Sequence, residues 1–116
     1  MIVRQALFEG AIHPCRKAEF DDYVETALLP LWRRFPGARE VRVLREIERD
    51  AGMPEVAMVL SMTFDDRRAL AAALDSPIRF ESREVTKGLL ALFDGRVRHH
   101  VFDLAHDAAP SPDPAG

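Results

Sequence analysis

The segment from Asp22 to Asp50 constrains the fold most, because it holds a helix, a stop and a strand in immediate succession. Apolar residues fall at Phe20, Tyr23, Val24, Ala27, Leu28, Leu31, Trp32 and Phe35, the spacing that lines one face of a helix. Asp21 and Asp22 near its start and Arg33 and Arg34 at its end suit the helix dipole. Pro36-Gly37 ends it, since proline lacks a donor and glycine tolerates the left-handed exit. Val41, Val43, Arg45 and Ile47 then alternate with Arg42, Leu44, Glu46 and Glu48, which is strand periodicity. Pro30 lies inside the helical run of about Lys17 to Phe35 and predicts a kink or a split there.

The flanking segments complete one pattern. Val3 to His13 reads as a strand apolar on both faces, ended by Pro14. The charged strand from Arg39 to Arg49 reads as an edge. Asp50-Ala51-Gly52 turns the chain into Glu55–Phe64, the most apolar strand, which belongs at the centre of the sheet as the antiparallel partner of the strand before it. Asp65 is the expected N-cap of a short helix through Leu74. Ser76-Pro77 opens a second, with Val85, Leu89, Leu92 and Phe93 on one stripe and a stop at Asp94-Gly95. Arg96 to Leu104 is the last strand. The domain therefore spans residues 1–104, and residues 105–116, rich in alanine, proline and aspartate, read as a disordered tail.

This order is that of an α+β, ferredoxin-like split βαβ fold: a four-stranded antiparallel sheet, strands in the order four, one, three, two, with the helices on one face. The central strand cannot hide both Val56, Met58, Leu60 and Met62 and also Ala57 and Val59 beneath those helices. A second copy is expected on the open face, giving a homodimer through the sheet face and a dimeric α/β barrel.

Bulk properties exclude several classes. A net charge of −3, with the bases spread along the chain, gives no field for nucleic acid. Cys15 is the only cysteine, so no internal disulfide forms, as suits a reducing cytoplasm. The start Met1-Ile2-Val3-Arg4-Gln5 has no secretory pattern, and no apolar run approaches the roughly 20 residues that span a bilayer, so no membrane contact is expected. No Gly-rich phosphate loop, Walker-type lysine motif, nucleophile elbow or CxxC occurs, and no cofactor is implied.

Leu29-Pro30-Leu31-Trp32-Arg33-Arg34-Phe35-Pro36-Gly37 running into Val41-Arg42-Val43, with Ala73-Leu74-Asp75-Ser76-Pro77 and Leu92-Phe93-Asp94-Gly95-Arg96-Val97, resembles the dimeric α/β-barrel superfamily of EthD-like proteins, stress-responsive A/B-barrel proteins and antibiotic-biosynthesis-type monooxygenases. The resemblance covers about residues 1–104 and rests on structural punctuation. It implies the fold, while the superfamily's reactions span oxygenation, isomerisation and decarboxylation. Its haem-degrading branch resembles a site of Asn, Trp and His, and this chain has no asparagine.

Chemistry points to the histidines. His13 ends the first strand and His99-His100 lie near the start of the last, so antiparallel pairing is expected to bring them together. Adjacent strand residues point oppositely, so one of His99 and His100 faces the helices, and only the register decides which. There it can act as a general base or orient a carbonyl. The competing reading has these histidines as an interior hydrogen-bonded residue, a dimer-seam residue and a solvated strand end. No HxH or HxxxE spacing with a third ligand marks a metal site. Tyr23, Trp32, Met58 and Met62 are candidates to line a substrate pocket, and each also reads as core. Two functions follow: a cofactor-independent monooxygenase or isomerase acting on a small apolar or aromatic metabolite, or a non-catalytic dimeric binding module.

Overall fold

Alternation along the strands sorts the apolar residues into a covered and an open layer. A computed structural model of the chain describes residues 1–112. Its elements are β1 (Ile2–Ile12), α1 (Lys17–Tyr23), a π-helical turn (Val24–Leu28), α2 (Leu29–Trp32), β2 (Glu40–Leu44), β3 (Val56–Phe64), α3 (Arg67–Leu74), α4 (Pro77–Leu90) and β4 (Phe93–Asp103). The strands form one antiparallel sheet in the order β2-β3-β1-β4, as the sequence predicts. Ile2, Ala6 and Phe8 of β1 and Met58, Leu60, Met62 and Phe64 of β3 are buried with Phe20, Leu28, Trp32 and Leu89 of the helices. Val3, Leu7 and Val59, at the intervening positions, share the other face and stay half-buried.

The expected barrel is not formed. β2 and β4 are the two edges of an open sheet. Four strands, each turned about 20–25° from the next, span too small an arc to close on one another. Nor is the open face continuously apolar: Arg42, Ser61, Gln5 and His100 cross it in register, and Glu9 pairs with Arg98 at 3.2 Å.

The first helix is split at the expected place. Pro30 has no N–H to give, and its ring would strike the Thr26 carbonyl in a continuous α-helix. The wider π turn just before it displaces that carbonyl. Four boundaries differ from expectation. The first helical run ends at Trp32, with a turn at Arg33, before Pro36 is reached. β2 stops at Leu44 because Arg45 leaves the ladder, pairing with Asp21, resting 5.0 Å from the Phe20 ring centre and donating to the Ala57 carbonyl at 3.4 Å. Beyond it Ile47 is 97% exposed. The N-cap of α3 is Asp66, which accepts from the Ala69 amide at 2.8 Å, while Asp65 takes two 2.9 Å hydrogen bonds from Arg39. Asp94-Gly95 is no stop: β4 already runs from Phe93, with Gly95 opposite Gly10. A Cβ on either glycine would overlap a carbonyl oxygen of the opposing strand, so this pair lets β1 and β4 approach over their full length. Residues 105–112 are exposed and in neither helix nor strand, and the rest of the expected tail lies outside the described residues.

Candidate functional site

β1, β3, β4, α2 and α4 line an open-mouthed cavity of about 420 Å³ on the helix-covered side of the sheet. Parity assigns its floor: Ala6 and Phe8 from β1, Leu60 and Met62 from β3, Val97 and His99 from β4. Trp32, Phe35 and Leu90 complete an apolar wall. Its polar side comes from Arg4 of β1 and from Arg79, Arg83 and Lys87 of α4, which follow one another at four-residue spacing and so share a helical face. Buried Ser82 and half-buried Thr86 lie beside them, with the Thr86 hydroxyl committed to the Ser82 carbonyl at 2.6 Å.

The electrostatics are one-sided. Among the described residues no aspartate or glutamate lines the cavity. Lys87 pairs outward with Glu84 at 2.8 Å, but among the described residues no carboxylate pairs with Arg4, Arg79 or Arg83. Burial, and then the charge of Arg79, pull the Arg4 pKa below that of a free guanidinium, though it stays a cation. His99 is the one lining side chain that titrates near neutrality. Partial burial first, then Arg4 and then Arg79, hold its pKa below the ordinary histidine value, which favours the neutral ring at pH 7.

The register brings some expected residues together and separates others. His99 pairs with Ala6 and joins Trp32 and Met62 at the cavity. His100 pairs with Gln5 on the opposite face, its ring stacked 5.8 Å from that of Phe102. His13 does not approach them. Its Nε2 lies 3.1 Å from the Asp94 carboxylate, and six ladder positions, about 20 Å, separate the neighbouring Ile12–Phe93 pair from Ala6–His99. The cause is the early start of β4, which moves His99 to mid-strand. Tyr23 is outside the cavity: its hydroxyl donates to the Val85 carbonyl at 2.6 Å and fills the space a Cβ on Gly88 would occupy, tying α1 to α4. Met58 is fully buried opposite Phe8 and does not reach the cavity. Sequence reasoning missed the arginines. The signal was the spacing of 79, 83 and 87, and the shared parity of Arg4 with Ile2, Ala6 and Phe8.

A second cleft, about 360 Å³, opens at the other end of the sheet between Ile12, His13, Lys17, Arg45, Glu46, Arg49 and Glu55. Among the described residues no three His, Cys, Asp or Glu side chains gather as metal ligands. Nor, among the described residues, is any helix long and apolar enough to cross a membrane.

No protein-family model matches the chain, and no curated protein matches it by sequence. Solved structures match its fold over most of its length. An ethyl tert-butyl ether d (EthD) family protein from Bacillus halodurans superposes with a TM-score of 0.67 at 23% identity, over 89% of this chain and 97% of that one. SnoaB, a cofactor-independent oxygenase from Streptomyces nogalater, does so with a TM-score of 0.63 at 23% identity, over 95% and 97%. A conserved protein from Methanosarcina mazei gives 0.62 at 17% identity, over 88% and 91%. The chain thus has the fold of the EthD-like and oxygenase structures, and at these identities the likeness is one of fold.

Proposed function

We propose that the protein binds a small, largely apolar or aromatic metabolite in the cavity between its helices and sheet, in the cytoplasm, and moves a proton next to a carbonyl without a cofactor. The observation that carries this reading is a cavity of about 420 Å³ with an apolar wall and one side chain that titrates near neutrality, His99, on its floor. That volume is in the range of small-molecule sites, about 300–1,000 Å³. Neutral His99 takes the proton from the carbon beside the carbonyl, and the guanidinium of Arg4 stabilises the enolate oxygen that results. Such an enolate is the shared starting point for reaction with dioxygen in a cofactor-independent monooxygenase and for reprotonation at another carbon in an isomerase. The fold shared with SnoaB, itself a cofactor-independent oxygenase, supports the first. The lone cysteine supports the compartment. Exposed Leu44 and Phe102 on the open sheet face, with Val3, Leu7 and Val59 between them, support a homodimer through that face.

The test has two parts. Thermal unfolding in the presence of small aromatic acids and ketones finds ligands, since one at 100 times its Kd adds about 2.7 kcal/mol. Deuterium uptake at the α-carbon of a bound ketone, followed by NMR, then reads the chemistry. His99→Ala lowers the uptake rate by about 10²–10⁴-fold, and His100→Ala leaves it unchanged. The opposite outcome would falsify the assignment. Solvent exposure of His99 favours a second reading, a non-catalytic binding module. Under it ligands stabilise the fold and no deuterium enters.

A further inference from the structure

The unneutralised bases of the cavity identify the charge of what it takes. Among the described residues three arginines are partly buried: Arg4, Arg45 and Arg79. Arg45 has a carboxylate partner in Asp21 and a backbone acceptor in Ala57. Arg79 has one carbonyl contact, to Leu74 at 3.3 Å, and its guanidinium lies 5.7 Å from the ring centre of exposed Phe80. Arg4 has no hydrogen-bond partner among the described side chains, and the charge that bears on it is that of Arg79, of the same sign. A half-desolvated guanidinium normally finds a carboxylate, because burial without a partner is costly. Here two of them, with Arg83 beyond, face one apolar space and no acid shares it. Such a cluster is complementary to an anion, and the forked donors of arginine suit a carboxylate.

Taking the cavity as the ligand site, as proposed above, we infer that its ligand is an aromatic or alicyclic carboxylate, with the ring against Phe8, Trp32 and Leu60 and the carboxylate held between Arg4 and Arg79. Arg83 at the rim adds charge that draws the acid in. The selection then runs against the uncharged analogue, which leaves both guanidinium groups unpaired, and against a bare inorganic anion, which leaves the apolar wall wet. The inference places the anionic head next to His99 as well, so the bound acid favours proton uptake by that ring.

Calorimetric titration of the full chain at pH 8 with 2-naphthoate, its neutral isostere 2-naphthamide, and inorganic phosphate tests this. The naphthoate binds about tenfold or more tighter than either of the others. Arg4→Met and Arg79→Met each reduce naphthoate affinity by about tenfold and leave naphthamide affinity unchanged, with circular dichroism confirming that both variants fold. Arg67→Met, the same loss of charge on exposed α3, changes neither. Equal affinity of acid and amide, or wild-type naphthoate binding by both arginine variants, overturns the anionic head while leaving the cavity as a ligand site. Phosphate binding as tight as naphthoate overturns the organic body. Binding of none of the three removes the ligand site itself, and the inference with it.

Discussion

The two ends of the sheet offer the same residue types in opposite states. Each has a cleft holding a histidine and arginines. At the His13 end every base has an acid: His13 pairs with Asp94, Lys17 and Arg45 with Asp21, Arg49 with Glu46 and Glu55. At the His99 end Arg4, Arg79 and Arg83 share a cavity that no acid among the described residues lines. The first end is a set of crosslinks that joins α1 to the loop after β2. The second is an unfinished arrangement that a ligand completes. Counting histidines and arginines would rank the two alike. Charge balance separates them, because paired charges are satisfied within the fold and unpaired ones retain binding capacity.

The largest effect expected from disturbing this contrast is structural. Gly10→Ala sets a Cβ against the Asp94 carbonyl at a position with φ +145°, next to the His13–Asp94 pair. Urea unfolding should show a loss of about 3 kcal/mol or more, and amide exchange should quicken first in the 93–97 half of β4. Smaller by about half is Asp21→Ala, which strands Arg45 between the Phe20 ring and the sheet and removes the Lys17 pair. A loss of about 1–2 kcal/mol is expected in the same assay.

The corresponding change at the other end has the opposite sign. Arg4→Met removes one of two facing cations and adds apolar contact to the cavity wall, so the unliganded protein gains about 0.5–1 kcal/mol while losing its grip on an acid. A destabilised Arg4→Met variant would mean that Arg4 is a structural residue like Arg45, and the contrast would fail.

The pH dependence gives the smallest signal. The folded-state pKa of His99 lies below its unfolded value, so the folded protein binds fewer protons than the unfolded chain between the two. The contribution of His99 is therefore intact above about pH 6.5 and is lost as pH falls through the folded-state value. Relative to His99→Gln, the wild type should lose melting temperature on going from pH 7.5 to 5.5. A saturating carboxylate should reduce that difference.

Much of the fold was legible because it depends on local rules. The Pro30 split, the parity of β3 and the strand order all follow from donors, torsions and alternation within short windows. The failures share a cause. Asp94-Gly95 looks like a helix stop to any local rule, yet Gly95 lies inside a ladder because Gly10, far away in sequence, needs it there. That single boundary moved His99 to mid-strand and parted it from His13. Arg45 likewise reads as one more strand residue until Asp21 and Phe20 take it out of the ladder.

By itself, then, the sequence determined the order of helices and strands, which residues alternate, and that the sheet has one covered face, since backbone chemistry and side-chain periodicity act over a few residues. Only the tertiary structure decided that His99 and not His100 meets Trp32 and Met62, that Tyr23 is spent on a Val85 carbonyl, and that Arg4 meets Arg79 where no acid follows. Those outcomes depend on register and on which groups face one another between helices and sheet; a one-residue slip of β4 would exchange His99 for His100, and one of β1 would turn Arg4 to the other face.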